Sequence, residues 1–293
     1  MAGAAPLIAV AGATGALGSR VCGELLARGA RVRALARDPD AAAARELAAL
    51  GSDVARADVT DPPSLAAAFE GVACVVSTAT CFPHRDEIDA VDRDGNVALV
   101  GAAEGEGAAR FVFVSFKPVP LDFPLQRAKR AVEARLAEAA LDAVVLRPGK
   151  FMDVWFSPLC GFDRAARRAT LFGAGTAPVS WIAAADVAAI AARSALGEGP
   201  RDGIVELGGP EALSQQDVAA VFAEVDGAPW HTETLPLPEL ERMHRNGESD
   251  LVRSLGALML EAHLGSTTDP ASWRAAFPGP ATTVREYAAA QAR

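Results

Sequence analysis

One tyrosine stands in 293 residues, Tyr287 near the C-terminus, so a phenolic acid anywhere else in the chain is excluded. Positive charge is also short. The 28 Lys and Arg against 37 Asp and Glu give a net charge of −9, which argues against nucleic acid as a partner because no basic excess exists to neutralise phosphates. Only four cysteines occur, Cys22, Cys74, Cys81 and Cys160. They lack metal-ligand spacing, so no metal site is expected, and they read as reduced thiols of a cytoplasmic protein. No apolar run reaches membrane-spanning length. The opening "MAGAAPLIAVAG" has no basic leader region and runs straight into a glycine loop, so it is not expected to be a signal peptide. These absences leave a small molecule as the expected partner, with the protein a monomer or homodimer.

What the chain does have is apolar mass, 51% of its residues, and a rhythm. Short apolar runs at 7–11, 32–36, 53–58, 73–79, 110–115 and 142–149 alternate with helical patterns. Continuous apolar strands separated by helices predict a parallel sheet covered on both faces, an α/β doubly wound fold of the Rossmann type. After Gly149 the rhythm breaks, with aromatics, prolines, a strand-like "GIVELGG" and a charged tail. The expected division is a dinucleotide-binding domain over 1–150 and a smaller α/β substrate-binding region over 151–293, packed on the first and not fully separable from it.

The stretch "AGATGALGSR" lies between the first strand and the first helix. Gly12 suits a tight turn, Gly15 lets backbone approach a pyrophosphate, and Gly18 lets the helix pack closely. The helix N-terminus then offers free N–H groups to phosphate. Gly12, Thr14, Gly15, Ala16, Leu17 and Gly18 are therefore candidate cofactor contacts. Arg37, just past the second strand in "LARDP", presents a planar fork suited to a 2′-phosphate where an NAD site usually places a carboxylate. With the resemblance given below, this arginine makes NADPH the expected cofactor and NAD the lesser alternative; a plain surface arginine is the other reading of Arg37. Asp38 beside it is read as pointing away or capping the next helix.

The spacing GxxGxxG in "GATGALG" resembles the extended and atypical members of the short-chain dehydrogenase/reductase superfamily. With "VRALARDP", "ADVTDPPSLAAAFEGV", "VDRDGNVALVGAA", "RFVFVS", "AKRAVE" and "VVLRPGKFM", the chain is most similar to their NmrA-like branch, over most of residues 6 to 190. The resemblance implies that Asp58 and Val59 flank the adenine and that Thr78, Ala79 and Thr80 run along the cofactor. It also implies that Pro148 and Gly149 pass the nicotinamide.

In that superfamily a serine follows the fifth strand, and a tyrosine and lysine lie on the next helix as YxxxK. Ser115 and Lys129 match the serine and the lysine; Leu125 stands in the tyrosine's place. The usual proton donor is absent. Lys129 is expected to hold the nicotinamide ribose, with proton transfer a further role, against the alternative of a lysine on a solvated helix face. Asp92 stands where extended members carry a relay asparagine, which puts that relay in doubt. Asp94 and Asn96 read as helix-surface or packing residues, while Lys117 is placed within reach of the site.

Phe82, His84, Phe151, Met152, Trp155 and Phe156 are candidate substrate contacts, with a seam between the domains as the plainer alternative. No cationic cluster accompanies them, so a flat or apolar, neutral substrate is expected. Reduction of a quinone or enone needs less acid catalysis than reduction of a simple ketone, because the acceptor delocalises the charge. The leading expectation is therefore an NADPH-dependent reductase of conjugated acceptors. The alternative is a non-enzymatic NADP(H) sensor acting through protein partners.

Overall fold

The structure, a computed structural model, describes residues 5–292. Residues 1–4, which begin the stretch read above for a leader, and residue 293 lie outside the described residues. Two compact units emerge, and they are not consecutive halves. The first takes the chain up to Ser115, then Arg127–Arg147 and Val187–Val205; the second takes Phe116–Gln126, Pro148–Asp186 and the chain from Glu206 onward.

The elements are β1 (Leu7–Ala11), α1 (Ala16–Ala27), β2 (Arg31–Ala36), α2 (Ala42–Ala49), β3 (Asp53–Arg56), α3 (Pro63–Phe69), β4 (Cys74–Ser77) and α4 (Asn96–Gly105). They continue with β5 (Arg110–Val114), α5 (Pro124–Ala137), β6 (Asp142–Pro148), α6 (Met152–Trp155), β7 (Phe162–Asp163), β8 (Arg168–Phe172), α7 (Ala184–Ala195) and β9 (Gly203–Leu207). The last are α8 (Gln215–Asp226), β10 (His231–Leu235), α9 (Leu237–Asn246), α10 (Asp250–Leu264), α11 (Pro270–Arg274) and α12 (Val284–Ala290).

Strands β1 to β6 pair in parallel, and the sheet runs β3-β2-β1-β4-β5-β6-β9. The chain moves outward from β1 to β3, then restarts on the other side of β1 at β4. That reversal opens a crevice at the carboxyl ends of β1 and β4, the place where such sheets bind ligands. β1 is buried at every position, as a strand covered on both faces must be. Its neighbour α1 buries Gly18, Val21, Cys22 and Leu25, positions that share one helix face. The apolar runs end a little early: β3 stops at Arg56 and β4 at Ser77, leaving Asp58 and Thr78 to Thr80 in loops.

The helical region between β4 and β5 has two parts. A wider π-helical stretch, Ile88–Gly95, leads into α4. It buries Ile88, Val91, Asp92 and Gly95.

In the second unit, β10 pairs in parallel with β8, and β7 pairs antiparallel to it. The charged tail of the sequence reading thus contains a strand and four helices. Its polar residues misled because β10 is mostly exposed and α9 buries only Leu240. The core here is built on Met152, Trp155, Phe162, Phe172, Trp181 and Phe222.

Candidate active site

Gly12 sits at φ +74°, a conformation open to glycine and costly for most other residues. A Cβ there would lie 2.8 Å from Thr78 Oγ1 and 2.9 Å from the Ala79 nitrogen. The Thr78 hydroxyl donates to the Ala11 carbonyl at 3.0 Å, fastening the end of β4 to the loop. A Cβ on Gly18 would fall inside contact distance of the Gly12 carbonyl, so the helix touches the loop as its sequence position predicts. Gly15 caps α1 with no side chain, and its only close neighbour, the Gly12 carbonyl, would stand 3.2 Å from a Cβ. Thr14, Gly15 and Ala16 are exposed and Leu17 is half-buried. The loop is therefore a cradle kept free of side chains, in front of an uncapped helix N-terminus.

Arg37 is exposed one residue past β2, with no ion-pair or hydrogen-bond partner among the described residues. Asp38 turns to its own loop and accepts from the Asp40 nitrogen at 3.0 Å. The Asp58 carboxylate is likewise occupied locally, accepting from the Thr60 nitrogen and hydroxyl at 2.9 and 2.8 Å. Val59 packs on the first unit's core.

Lys129 is not on a solvated face. It is 5% exposed. Its Nζ lies 3.0 Å from Asp92 Oδ1, donates to the Ala79 carbonyl at 3.4 Å and stands 5.2 Å from the centre of the Phe113 ring. Asp92 is wholly buried. Its Oδ2 accepts from the Cys81 nitrogen and thiol, both at 3.1 Å. Burial pushes the Asp92 carboxyl upward, but the Lys129 ammonium and hydrogen bonds from Thr80 and Cys81 outweigh it and hold the carboxyl below its ordinary range. Cys81 itself is pushed up to about 12 by burial and by Asp92, so it stays a neutral thiol donor.

Asn96 is also buried rather than on the helix surface. Its amide donates to the carbonyls of Val91 at 2.9 Å and Ala79 at 3.2 Å, and its oxygen accepts from Ser77 at 2.6 Å. Asp94 is the surface residue, paired with Arg93.

Ser115 is buried, and its hydroxyl makes no hydrogen bond of normal geometry, although it acts on the Glu133 carboxyl. Burial pushes the Glu133 carboxyl upward; the hydrogen bonds from Arg147, the Ser115 hydroxyl dipole and the nearby arginine charges bring it below the ordinary range. Arg147 and Glu133 form a 2.5 Å ion pair. Lys117 does not stay free for a site: its Nζ bonds the Thr267 carbonyl and Thr268 Oγ1.

Leu125, at the tyrosine position, is buried, and its nitrogen donates to Ser254 Oγ at 3.2 Å. Tyr287 packs on Phe156 at 6.0 Å between ring centres. Met152 is fully buried and Trp155 nearly so, both in the second unit's core, where Trp155 and Phe156 also line a small cavity. Phe156 joins them through Trp181, Phe162 and Phe222. Phe151 and Phe82 are half-buried and His84 is exposed. Pro148 is buried, and Gly149 donates to the Leu207 carbonyl at 2.8 Å.

One buried pair escaped the sequence reading. Lys150 Nζ meets Glu261 at 2.6 Å, and the two side chains are 4% and 8% exposed. Lys150 also lies 4.6 Å over the Trp155 ring. The signal was present: Ser254, Ala257 and Glu261 recur at helical spacing among buried residues of α10, so the carboxylate falls on the inward face.

The NmrA-like family model matches residues 5–287. NAD(P)H azoreductase from Xenophilus azovorans is 31% identical over 240 residues, 80% of this chain and 79% of that protein. Among solved structures, an NADPH-dependent quinone oxidoreductase from Escherichia coli, complexed with NADPH, superposes with a TM-score of 0.80 at 24% identity. That match covers 98% of this chain and 100% of the other. The triphenylmethane reductase of Citrobacter sp. superposes with a TM-score of 0.79 at 22% identity, covering 97% and 98%.

Proposed function

The chain belongs to the NmrA-like family, and from that footing we propose that it is an NADPH-dependent reductase of a neutral conjugated acceptor, such as a quinone or an enone. The names of three similar proteins point the same way: an azoreductase, a quinone oxidoreductase and a triphenylmethane reductase. Each acceptor so named is conjugated. The absent tyrosine would suit the sensor alternative as well, but the reductase names of these similar proteins favour the enzyme. The four cysteines are free and buried, which fits a reducing compartment such as the cytoplasm.

The residues present fit the cofactor. The side-chain-free cradle of Gly12, Gly15 and Gly18 and the uncapped start of α1 would take the pyrophosphate. Arg37 has its whole fork available for a 2′-phosphate. Lys129 would hold ribose hydroxyls, and Ala79 and Thr80 would lie alongside. NADPH, when bound, supplies a hydride; the one proton that completes the reduced acceptor comes from solvent.

The observation that carries the choice of acceptor is Leu125. An apolar, buried side chain stands one turn before a retained, buried lysine, so the helix offers no O–H donor at that position for the alkoxide that a simple ketone would become. An acceptor that spreads the incoming charge has no such need.

The test is NADPH oxidation followed at 340 nm with 1,4-benzoquinone, cyclohexenone, an azo dye and cyclohexanone. The expected result is turnover with one or more of the conjugated acceptors and none with cyclohexanone. Turnover with cyclohexanone alone, or with nothing, would overturn the reading.

A further inference from the structure

We infer that Asp92 is a positioning residue: its charge pins the Lys129 ammonium so that free N–H groups are left to face the bound cofactor. On this reading Lys129 serves as a fixed charge and donor and gives no proton to the acceptor. The inference rests on the cofactor placement proposed above and deepens it.

A lysine ammonium has three N–H groups. One donates to the Ala79 carbonyl at 3.4 Å, while Asp92 Oδ1 holds the nitrogen as an ion pair at 3.0 Å without a hydrogen bond. The Phe113 ring lies beside the nitrogen at 5.2 Å. Two donors remain. The carboxylate that sets this direction cannot itself swing, because its other oxygen is bonded twice to Cys81, through nitrogen and thiol. Cys81 and Ala79 both belong to the segment leaving β4, and Asp92 to the π-helical stretch that follows. The lysine is thus tied to the segment expected to run along the cofactor.

Stability alone does not account for such a pair. Removing two charges from water costs about as much as their attraction returns, and apolar residues of equal size often do as well. A pair retained beside the glycine cradle, with donors unspent, fits a ligand-holding role. The pairing also sets a limit on chemistry. A proton leaving Lys129 would strand the Asp92 carboxylate, wholly buried, without its counter-charge, and the carboxyl is held in its ionised form by the same contacts. The proton that completes reduction therefore comes from water. With Leu125 one turn earlier, the lysine has no phenol to assist and a carboxylate to hold it.

The test uses full-length protein and Asp92→Asn, which keeps the size and removes the charge. NADPH affinity is measured by calorimetry and kcat with 1,4-benzoquinone at saturating NADPH. The expected result is an NADPH Kd raised about tenfold, the worth of one weakened charge-assisted contact, with kcat reduced only two- to threefold. A variant that folds and keeps the wild-type Kd overturns the inference. So does an unchanged Kd with kcat down a hundredfold, which would make the pair a proton relay. Should Asp92→Asn fail to fold, the wild-type protein decides. Its Lys129 15Nζ ammonium resonance, identified by its loss in Lys129→Met, is expected to shift on adding NADPH, and no shift overturns the inference. Wild-type protein that binds no NADPH fails the functional reading itself, whereas a wild type that binds and turns over while Asp92→Asn behaves identically fails this inference alone.

Discussion

A single unpaired arginine is the residue at which the proposed preference between two cofactors can be tested. Arg37 is exposed just past β2 without a protein partner among the described residues, whereas neighbouring charges at this end of the sheet are engaged: Asp38 with Asp40 and Asp58 with Thr60. A free guanidinium can give both prongs of its fork to a phosphate. Arg37→Ala is expected to weaken NADPH binding about tenfold or more, at roughly 1.4 kcal/mol per decade, and to leave NADH binding unchanged. Fluorescence titration of both cofactors against both proteins checks this; an equal loss for NADH would mean that Arg37 serves the loop's fold instead. Legibility at this scale was uneven. The glycines and Arg37 could be read because each has one physical use at its place in the pattern. Ser115 could not, since nothing in "FVFVSF" announces Glu133 across a turn of α5.

Among elements, the buried charges follow a rule that the sequence did contain. On α5, Leu125, Ala128, Lys129, Val132 and Leu136 are all buried, a spacing that puts Lys129 on the apolar stripe. Read as a charged helix, "LQRAKRAVE" hides this, because Arg127 and Arg130 lie on either side. Lys150 and Glu261 repeat the case, linking the chain after β6 to α10. Burial pushes the Lys150 ammonium below its ordinary value, against the pull of Glu261 and Cys160, so the pair depends on its carboxylate. Glu261→Gln is expected to cost about 3–5 kcal/mol by leaving Lys150 uncompensated. The apolar double variant Lys150→Met with Glu261→Leu is expected to regain most of that. Urea unfolding of the three proteins measures it, and a Glu261→Gln midpoint equal to wild type would show that the pair contributes nothing.

For the molecule as a whole, the buried carboxylates set the acid limit. Asp92 and Glu133 are both held below their ordinary values, against the upward push of burial, by the cations and donors around them. A carboxyl whose folded pKa is depressed contributes stability that is present above its unfolded value, about 3.9 for Asp and 4.3 for Glu, and lost as pH falls through the folded value. Asp186 has the opposite sign. Burial, with Glu286 and Asp153, raises it despite bonds from Thr282, so its contribution is present below the unfolded value and lost as pH rises through the folded one. Melting temperature is therefore expected to fall steeply below about pH 4, and less steeply in Asp92→Asn. Thermal scans between pH 2.5 and 7 test this, and parallel acid limbs for the two proteins would remove Asp92 from the account. At this scale the described residues also contain no helix long and apolar enough to cross a membrane, in keeping with the absence of long apolar runs.

By itself the sequence determined the parallel sheet, because strands such as "LIAVA" are apolar throughout and only burial on both faces accommodates that. It determined the glycine cradle too, since backbone at φ +74° and a helix seated on a carbonyl exclude side chains locally. It did not determine which compact unit each segment joins: residues 116–126 and 187–205 depart from the order of the chain. Nor did it decide what Lys129, Ser115, Lys117 and Lys150 do, because a charged side chain takes its role from its partner. The partners, Asp92, Glu133, Thr267 and Glu261, lie 37, 18, 150 and 111 residues away. Local pattern fixes backbone geometry, where the interactions are between near neighbours. Only the folded chain decides which opposite charges and donors meet, and with them which polar groups are buried in pairs and which, like Arg37, remain free for a ligand.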